Sequence, residues 1–276
     1  MSPGTLFLVG TPIGNLGDMT ARAREVLAEV DLVACEDTRR TGALLDHFGI
    51  EARMTSFFEG NERERTPELV RTLLSGRSVA VVSDAGMPGL SDPGFRLVRE
   101  CGIQGIPVTA VPGPSAVIAA LVVSGLPSDR FVYEGFLPRR GGDRRARLAA
   151  LAHEERTLVF FESPRRVAQT LDDMASVFGP DRRVVVAREL TKIHEEVIRG
   201  TVSEVDEQLA GREQLKGEVV LVLEGGTAVP PPDLGTLVAE ARELVEDGVK
   251  KRVAAHEVAA RHGVHANPIY DALLHP

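Results

Sequence analysis

Four runs of this sequence gather glycine, proline, serine and acidic residues immediately after a short apolar segment. Gly10-Thr11-Pro12-Ile13-Gly14-Asn15-Leu16 closes LFLV. Glu36-Asp37-Thr38-Arg39 closes LVAC. The twelve residues from Ser83 to Gly94 (SDAGMPGLSDPG) close VAVV, and Pro112-Gly113-Pro114-Ser115-Ala116 closes PVTAV. Glycines at the carboxyl end of a strand let backbone approach a ligand closely, where α/β sheets place their sites. Two carboxylates and an arginine in Glu36–Arg39 make an acid/base or ribose-binding set. Asp37 or Thr38 serves equally as a helix N-cap. Asp84 stands at a strand end facing the crevice, or simply forms a turn. Ser91 or Asp92 reads as the cap of the next helix, with Pro93 at its first position. Pro-Gly-Pro makes a rigid loop that preorganises backbone amides, and Ser115 can cap the helix after it. Phe161-Glu162-Ser163-Pro164-Arg165 and Ala187-Arg188-Glu189-Leu190-Thr191-Lys192 follow strands in the same manner.

Several chemistries are excluded. The first run is not G-x-G-x-x-G, so the usual dinucleotide fingerprint fails. No Walker loop and no G-x-S-x-G elbow exist, so P-loop NTPases and serine hydrolases fall away. Seven histidines without H-x-x-x-H spacing and two cysteines, Cys35 and Cys101, make neither a zinc site nor a disulfide framework, and no metal is expected.

The elements that position these runs alternate strand and helix. Strands are expected at Leu6–Gly10, Leu32–Cys35, Val79–Ser83 and Pro107–Val111. Helices are expected from Thr20, at Thr38–Phe48, Thr66–Leu74, Pro93–Glu100 and Ala116–Val123. Short apolar strands alternating with helices imply parallel strands buried on both faces. The texture changes at LPRRGGDRRAR, which holds five arginines: Arg139, Arg140, Arg144, Arg145 and Arg147. A domain boundary is placed near 136. Beyond it, strands are expected at Leu158–Glu162, Val184–Ala187, Glu195–Thr201 and Val219–Glu224, with helices at Arg165–Phe178 and Val202–Leu209. Thr227–Pro232 reads as a stiff linker, and three short helices follow at Gly235–Glu246, Arg252–His262 and Asn267–Leu274. The fold class is therefore α/β, with domains at 1–135 and 136–228 and a helical tail at 229–276.

Length and composition agree. A chain of 276 residues with 43% hydrophobic and 26% charged content is globular rather than disordered. The longest apolar run, Ala116–Val123, is too short to cross a bilayer. The first residues lack the basic segment of a secretory signal, so a cytoplasmic protein is expected. A net charge of −8 gives no long-range attraction for nucleic acid. RNA binding would rest on local patches, chiefly Arg139–Arg147 and Lys250-Lys251-Arg252.

Taken together, the runs resemble the tetrapyrrole-methylase superfamily, the class III S-adenosylmethionine-dependent methyltransferases. Within it they are most similar to the ribosomal RNA small subunit methyltransferase I family. The resemblance runs from Gly4 to Glu224 and rests on TPIGNLGDMT, EDTR, SDAGMPGLSDPG, PGPSA, EGFLPR, FESPRR, ARELTKIHEE and KGEVVLVLEG. Met87, Gly60 and Arg165 depart from the family's usual residues, and the last 40 or so residues match its helix-turn-helix-like tail more weakly. The resemblance implies two α/β domains with S-adenosylmethionine in the cleft between them. The cofactor would lie against Pro12, Ile13, Val82, Ser83, Asp84, Met87, Ser115, Ala116, Glu162 and Leu190. It implies 2'-O-methylation of a cytidine ribose in the decoding region of 16S rRNA on the 30S subunit, by a homodimer. Glu36, Asp37 and Asp84 are the candidate proton acceptors, and Arg39 a candidate phosphate ligand. Two rivals are a corrin or porphyrin methyltransferase of the same superfamily and a non-catalytic ribosome-assembly factor. The first has no need of the arginine patch, and the second predicts no cofactor binding.

Overall fold

The protein is described from a computed structural model over residues 2–212, 215–226 and 232–274. The first half contains β1 (Leu6–Val9), α1 (Ala21–Glu29), β2 (Leu32–Cys35), α2 (Thr38–His47), β3 (Met54–Ser56), α3 (Glu62–Leu74), β4 (Val79–Val82), α4 (Phe95–Ile103), β5 (Val108–Val111) and α5 (Ala116–Ser124). The strands form one all-parallel sheet in the order β3-β2-β4-β1-β5. Successive side chains of a strand point to opposite faces. Leu6, Val79 and Val81 therefore pack under α3 and α4 with Leu69, Leu73 and Leu97. Val9, Ala80 and Val82 pack under α1 and α2 with Leu27 and Leu45. Helix starts follow local chemistry: Thr20, Asp37 and Ser115 cap α1, α2 and α5 by accepting backbone N–H bonds.

The second sheet is built from β6 (Phe131–Phe136), β7 (Thr157–Glu162), β8 (Arg183–Arg188), β9 (Glu196–Thr201) and β10 (Val219–Leu223), in the order β6-β7-β10-β8-β9. Only β6 and β7 run parallel; the other pairs are antiparallel. Helices α6 (Gly141–Ala150), α7 (Val167–Phe178) and α8 (Val202–Ala210) accompany it. Phe160, Leu158 and Leu221 meet Leu148, Leu171 and Val205 on one face. The other face is covered by α5, whose Val117, Ala120 and Leu121 pack with Val159, Val185 and Val220. Helix α5 is apolar on nearly every side, and Ile118 and Val122, on the side turned away from this sheet, are exposed. Arg199 of β9 donates to the terminal carbonyls of Val123 and Ser124, placing a cation at the negative end of that helix.

Three elements escape the periodicity reading: β3, β6 and α6. In β6 the register shifts between Tyr133 and Gly135, which has φ +66°, and this bulge hides the alternation. Because β6 belongs to the second sheet, the change of sheet comes before Phe131, not near 136. The latter part of LPRRGGDRRAR forms α6. Helix α3 starts four residues ahead of the expected Thr66, with Pro67 in its interior. Helix α4 is preceded by Gly94 at the cap position, so Ser91 and Asp92 do not cap it and Pro93 is not helical.

Residues 2–226 and the C-terminal segment are separate compact units. In the latter, α9 (Leu234–Glu246), α10 (Lys251–His262) and α11 (Ala266–Leu274) enclose a core of Leu237, Ala241, Ala255, Val258, Ile269 and Leu273. Most of the expected stiff linker, 227–231, lies outside the described residues.

Candidate active site

All four glycine- and acid-rich runs of the first half leave the carboxyl ends of parallel strands, so topology alone brings them to one edge of the sheet. Cys35 of β2 pairs with Val82 of β4, which sets Glu36 beside Asp84. Glu36 accepts a hydrogen bond from the Asp84 N–H at 3.0 Å. Thr11 and Gly86 exchange two backbone hydrogen bonds at 2.9 and 3.1 Å, tying the first run to the third. The first and fourth runs touch backbone to backbone: a Cβ added to Gly113 would lie 2.8 Å from the Gly10 Cα. Only glycines permit that approach.

Between this edge and the second sheet lies a cavity of about 360 Å³, within the size range of small-molecule sites. Ile13, Met87, Ala116, Val117 and Phe161 give it apolar walls, and Glu36, Asp84 and Asp92 bring carboxyl groups to it. A second cavity of about 230 Å³ shares Ile13 and Asp84 and adds Pro12, Arg40, Ser83 and Lys192. Asp84 therefore stands at the junction. Its Oδ2 accepts from Arg40 at 3.1 Å, while its Oδ1 is buried with no hydrogen-bond partner among the described residues. A buried acceptor left unmatched costs free energy unless a ligand supplies a donor.

Two of the cavity's carboxyl groups, Glu36 and Asp92, differ from Asp37. Burial pushes Glu36 above its ordinary value. Burial and the neighbouring negative charge of Glu36 push Asp92 up to about 7. Asp37 points instead to Arg39, whose guanidinium donates to it at 2.7 and 3.1 Å and whose backbone N–H donates at 2.9 Å. Those bonds hold Asp37 far below the carboxylate range. It lines neither cavity and is a poor proton acceptor, and Arg39 is already committed to it. Asp92 and Arg40 were missed by the sequence reading. The doubled S-D-x-G of the third run, read as turn and cap, was the available signal for Asp92.

Of the remaining cofactor candidates, Ser115 and Glu162 line the larger cavity. Glu162 is buried and already satisfied, accepting from Ser163 N–H at 2.6 Å and Thr170 Oγ1 at 2.8 Å and pairing with Arg166. Val82 is buried under α1 and α2, and Leu190 in the core beneath α5; neither lines a cavity. Among the described residues, three non-glycine positions have left-handed backbone: Ser91, Glu189 and Thr191, at φ 63°, 52° and 67°. Such strain persists only where surrounding structure enforces it. Ser91 lines the larger cavity, its Oγ 2.7 Å from the Tyr133 hydroxyl.

The arginine patch divides. Arg144 is fully buried, its Nε donating to Asp173 at 2.6 Å, and is corrected from a phosphate ligand to a core residue. Its helix position, four residues before Leu148, turns it inward with that side chain. Arg145 shares Asp173, and Arg147 pairs with Glu134. Arg139 and Arg140 are exposed without a carboxylate partner among the described residues. Lys250, Lys251 and Arg252 are exposed at the start of α10, where Lys251 donates to the Leu273 carbonyl at 2.7 Å. Among the described residues no group of His, Cys, Asp and Glu is arranged to hold a metal, and no helix is long and apolar enough to cross a membrane.

Residues 5–206 match the family model described as Tetrapyrrole (Corrin/Porphyrin) Methylases. A protein named Ribosomal RNA small subunit methyltransferase I from Mycobacterium tuberculosis (strain CDC 1551 / Oshkosh) is 47% identical over 99% of this chain and 96% of its own. One of the same name from Escherichia coli O157:H7 is 46% identical over 99% and 96%. Another, from Xylella fastidiosa (strain Temecula1 / ATCC 700964), is 53% identical over 81% and 82%. Among solved structures, uroporphyrin-III C-methyl transferase from Thermus thermophilus, complexed with S-adenyl homocysteine, superposes with a TM-score of 0.57. It is 20% identical and covers 80% of this chain and 97% of that one. Precorrin-6Y methylase from Archaeoglobus fulgidus gives 0.55 at 22% identity, covering 82% and 100%.

Proposed function

Because this chain belongs to the tetrapyrrole methylase family and, within it, to the ribosomal RNA small subunit methyltransferase I group, we propose that it transfers a methyl group from S-adenosylmethionine to 16S rRNA. The acceptor is the 2'-hydroxyl of a cytidine in the decoding region, presented on the 30S subunit. The enzyme works in the cytoplasm as a homodimer.

The observation that carries the rRNA assignment is coverage. The rRNA-methyltransferase relatives from Mycobacterium tuberculosis and Escherichia coli align over 99% of the chain. The uroporphyrin and precorrin methylases leave about a fifth of it unmatched. The larger cavity fits the cofactor: apolar walls suit a nucleoside, and the carboxyl groups of Glu36, Asp84 and Asp92 suit a sulfonium cation and an ammonium group. The unmatched Asp84 Oδ1 awaits a donor.

When bound, S-adenosylmethionine supplies an activated methyl group. The chain's residues align the acceptor with it, an effect worth roughly 7–11 kcal/mol in well-oriented reactions. They also take up the ribose hydroxyl proton. Asp92 is the assigned acceptor, since a base works best when its pKa lies near the working pH. Burial, with the negative charge of Glu36, keeps that pKa high, and Asp84, paired with Arg40, would face the positive charge of a bound cofactor.

The test is tritium transfer from labelled S-adenosylmethionine to 30S subunits lacking the modification, followed by nuclease digestion. Label on a 2'-O-methylcytidine in the decoding region is expected. Label on a base, or transfer to a corrin or porphyrin precursor in place of 30S, overturns the assignment.

A further inference from the structure

A groove of about 580 Å³ runs between α3 and α4 and belongs to neither cavity described above. Arg63 and Arg71 from α3 and Arg96 and Arg99 from α4 line it, together with one carboxylate, Glu100 of α4. These positions follow helical spacing, so each helix turns its arginines to the same side. All four are exposed. Arg63, Arg71 and Arg99 have no carboxylate partner among the described residues, and Arg96 has only Glu62, at 3.9 Å. Four guanidinium groups against the single lining carboxylate leave the groove cationic in a chain of net charge −8.

The groove is mechanically joined to the active site. Glu62, buried on α3, accepts from the Gly94 N–H at 3.0 Å and the Arg96 N–H at 3.1 Å. That carboxylate caps α4 from a neighbouring helix and pins the end of the loop carrying Ser91 and Asp92. Arg96 stands four positions after Asp92 in the chain, a reach of at most about 14 Å. Phe95, between them in sequence, is 69% exposed and offers a ring on which an unstacked base can rest.

We propose that the α3–α4 groove binds the phosphodiester backbone of the substrate RNA next to the methylated nucleotide. This deepens the rRNA reading and rests on it. Guanidinium groups suit phosphate through bidentate hydrogen bonds, and backbone contacts position a nucleic acid without reading its sequence.

The test compares wild type with Arg71→Glu/Arg99→Glu and Arg71→Lys/Arg99→Lys. The readouts are methyl transfer to unmodified 30S subunits, binding to naked 16S rRNA across a salt series, and S-adenosylmethionine affinity by calorimetry. The reversal variant is expected to raise KM for 30S about tenfold or more and to reduce the log–log salt slope by about 0.7 per lost contact. Cofactor affinity stays at the wild-type value, which certifies the fold, and the lysine variant retains most of the binding. Unchanged KM and salt slope in the reversal variant overturn the groove while leaving the rRNA reading intact. Weakened 30S binding with an unchanged slope on naked RNA also overturns it, by assigning the groove to a ribosomal protein. If wild type itself fails to methylate 30S, the rRNA reading fails first.

Discussion

Asp173→Ala is expected to lower the melting temperature of the two-sheet unit by about 10 °C. The reason is the position of its partner: Arg144 is fully buried, and its two Nη atoms have no hydrogen-bond acceptor among the described residues. Only the 2.6 Å bond from Nε to Asp173 compensates the charge. Removing one member of a buried pair typically costs about 3–5 kcal/mol, because the other charge is left uncompensated. For a unit of this size each kcal/mol is worth roughly 2–4 °C. Arg144→Met/Asp173→Leu, which removes both charges and keeps apolar volume, should recover most of the loss. Thermal melts followed by circular dichroism decide the matter. A single variant melting within about 2 °C of wild type would show that the pair is dispensable.

The second large effect is catalytic. Asp92→Asn is expected to reduce kcat for methyl transfer by about 10²–10⁴, the usual worth of a general base. In the wild type the rate should climb with pH and level off above about 7, as Asp92 loses its proton. The variant should lose that limb. Glu36→Gln removes a negative charge that raises the Asp92 pKa, so it should move the limb to lower pH and not abolish it. An Asp92→Asn enzyme with wild-type kcat and an unaltered limb would remove Asp92 from the mechanism. The same shift also bears on stability. A carboxyl group whose folded pKa is raised contributes most below its unfolded value, and that contribution is lost as pH rises through about 7.

The order of strands and helices could be read from the sequence because the first sheet is buried on both faces. LFLV, LVAC and VAVV stand out as unbroken apolar runs between helical patterns. β6 could not be read, since its bulge at Gly135 breaks the alternation, and α6 was hidden by paired glycines at its start. The location of the candidate site was legible too, as loops leaving parallel strands. Which carboxylate does what was not. Asp37 and Glu36 are neighbours in sequence, but a helix start turns Asp37 to Arg39 while strand pairing sets Glu36 beside Asp84. Asp92 looked like a cap because Pro93 follows it. Its role as a cavity wall depends on Glu62 reaching across from α3 to take over the capping of α4.

The position of β1 has a consequence for synthesis. This strand is translated well before its neighbours in the sheet, β4 and β5: Leu6 pairs with Val79 and with Val108. At about 5–20 residues per second, β1 waits roughly 4–20 s for its partners to be translated. During that interval an apolar segment that ends up fully buried at Leu6 and Val9 is exposed without strand neighbours. The nascent chain therefore carries a transiently exposed hydrophobic segment, the kind of sequence that holding chaperones shield. Slowing translation ahead of Val79 prolongs that exposure, whereas slowing it after Val111 gives the completed sheet time to close.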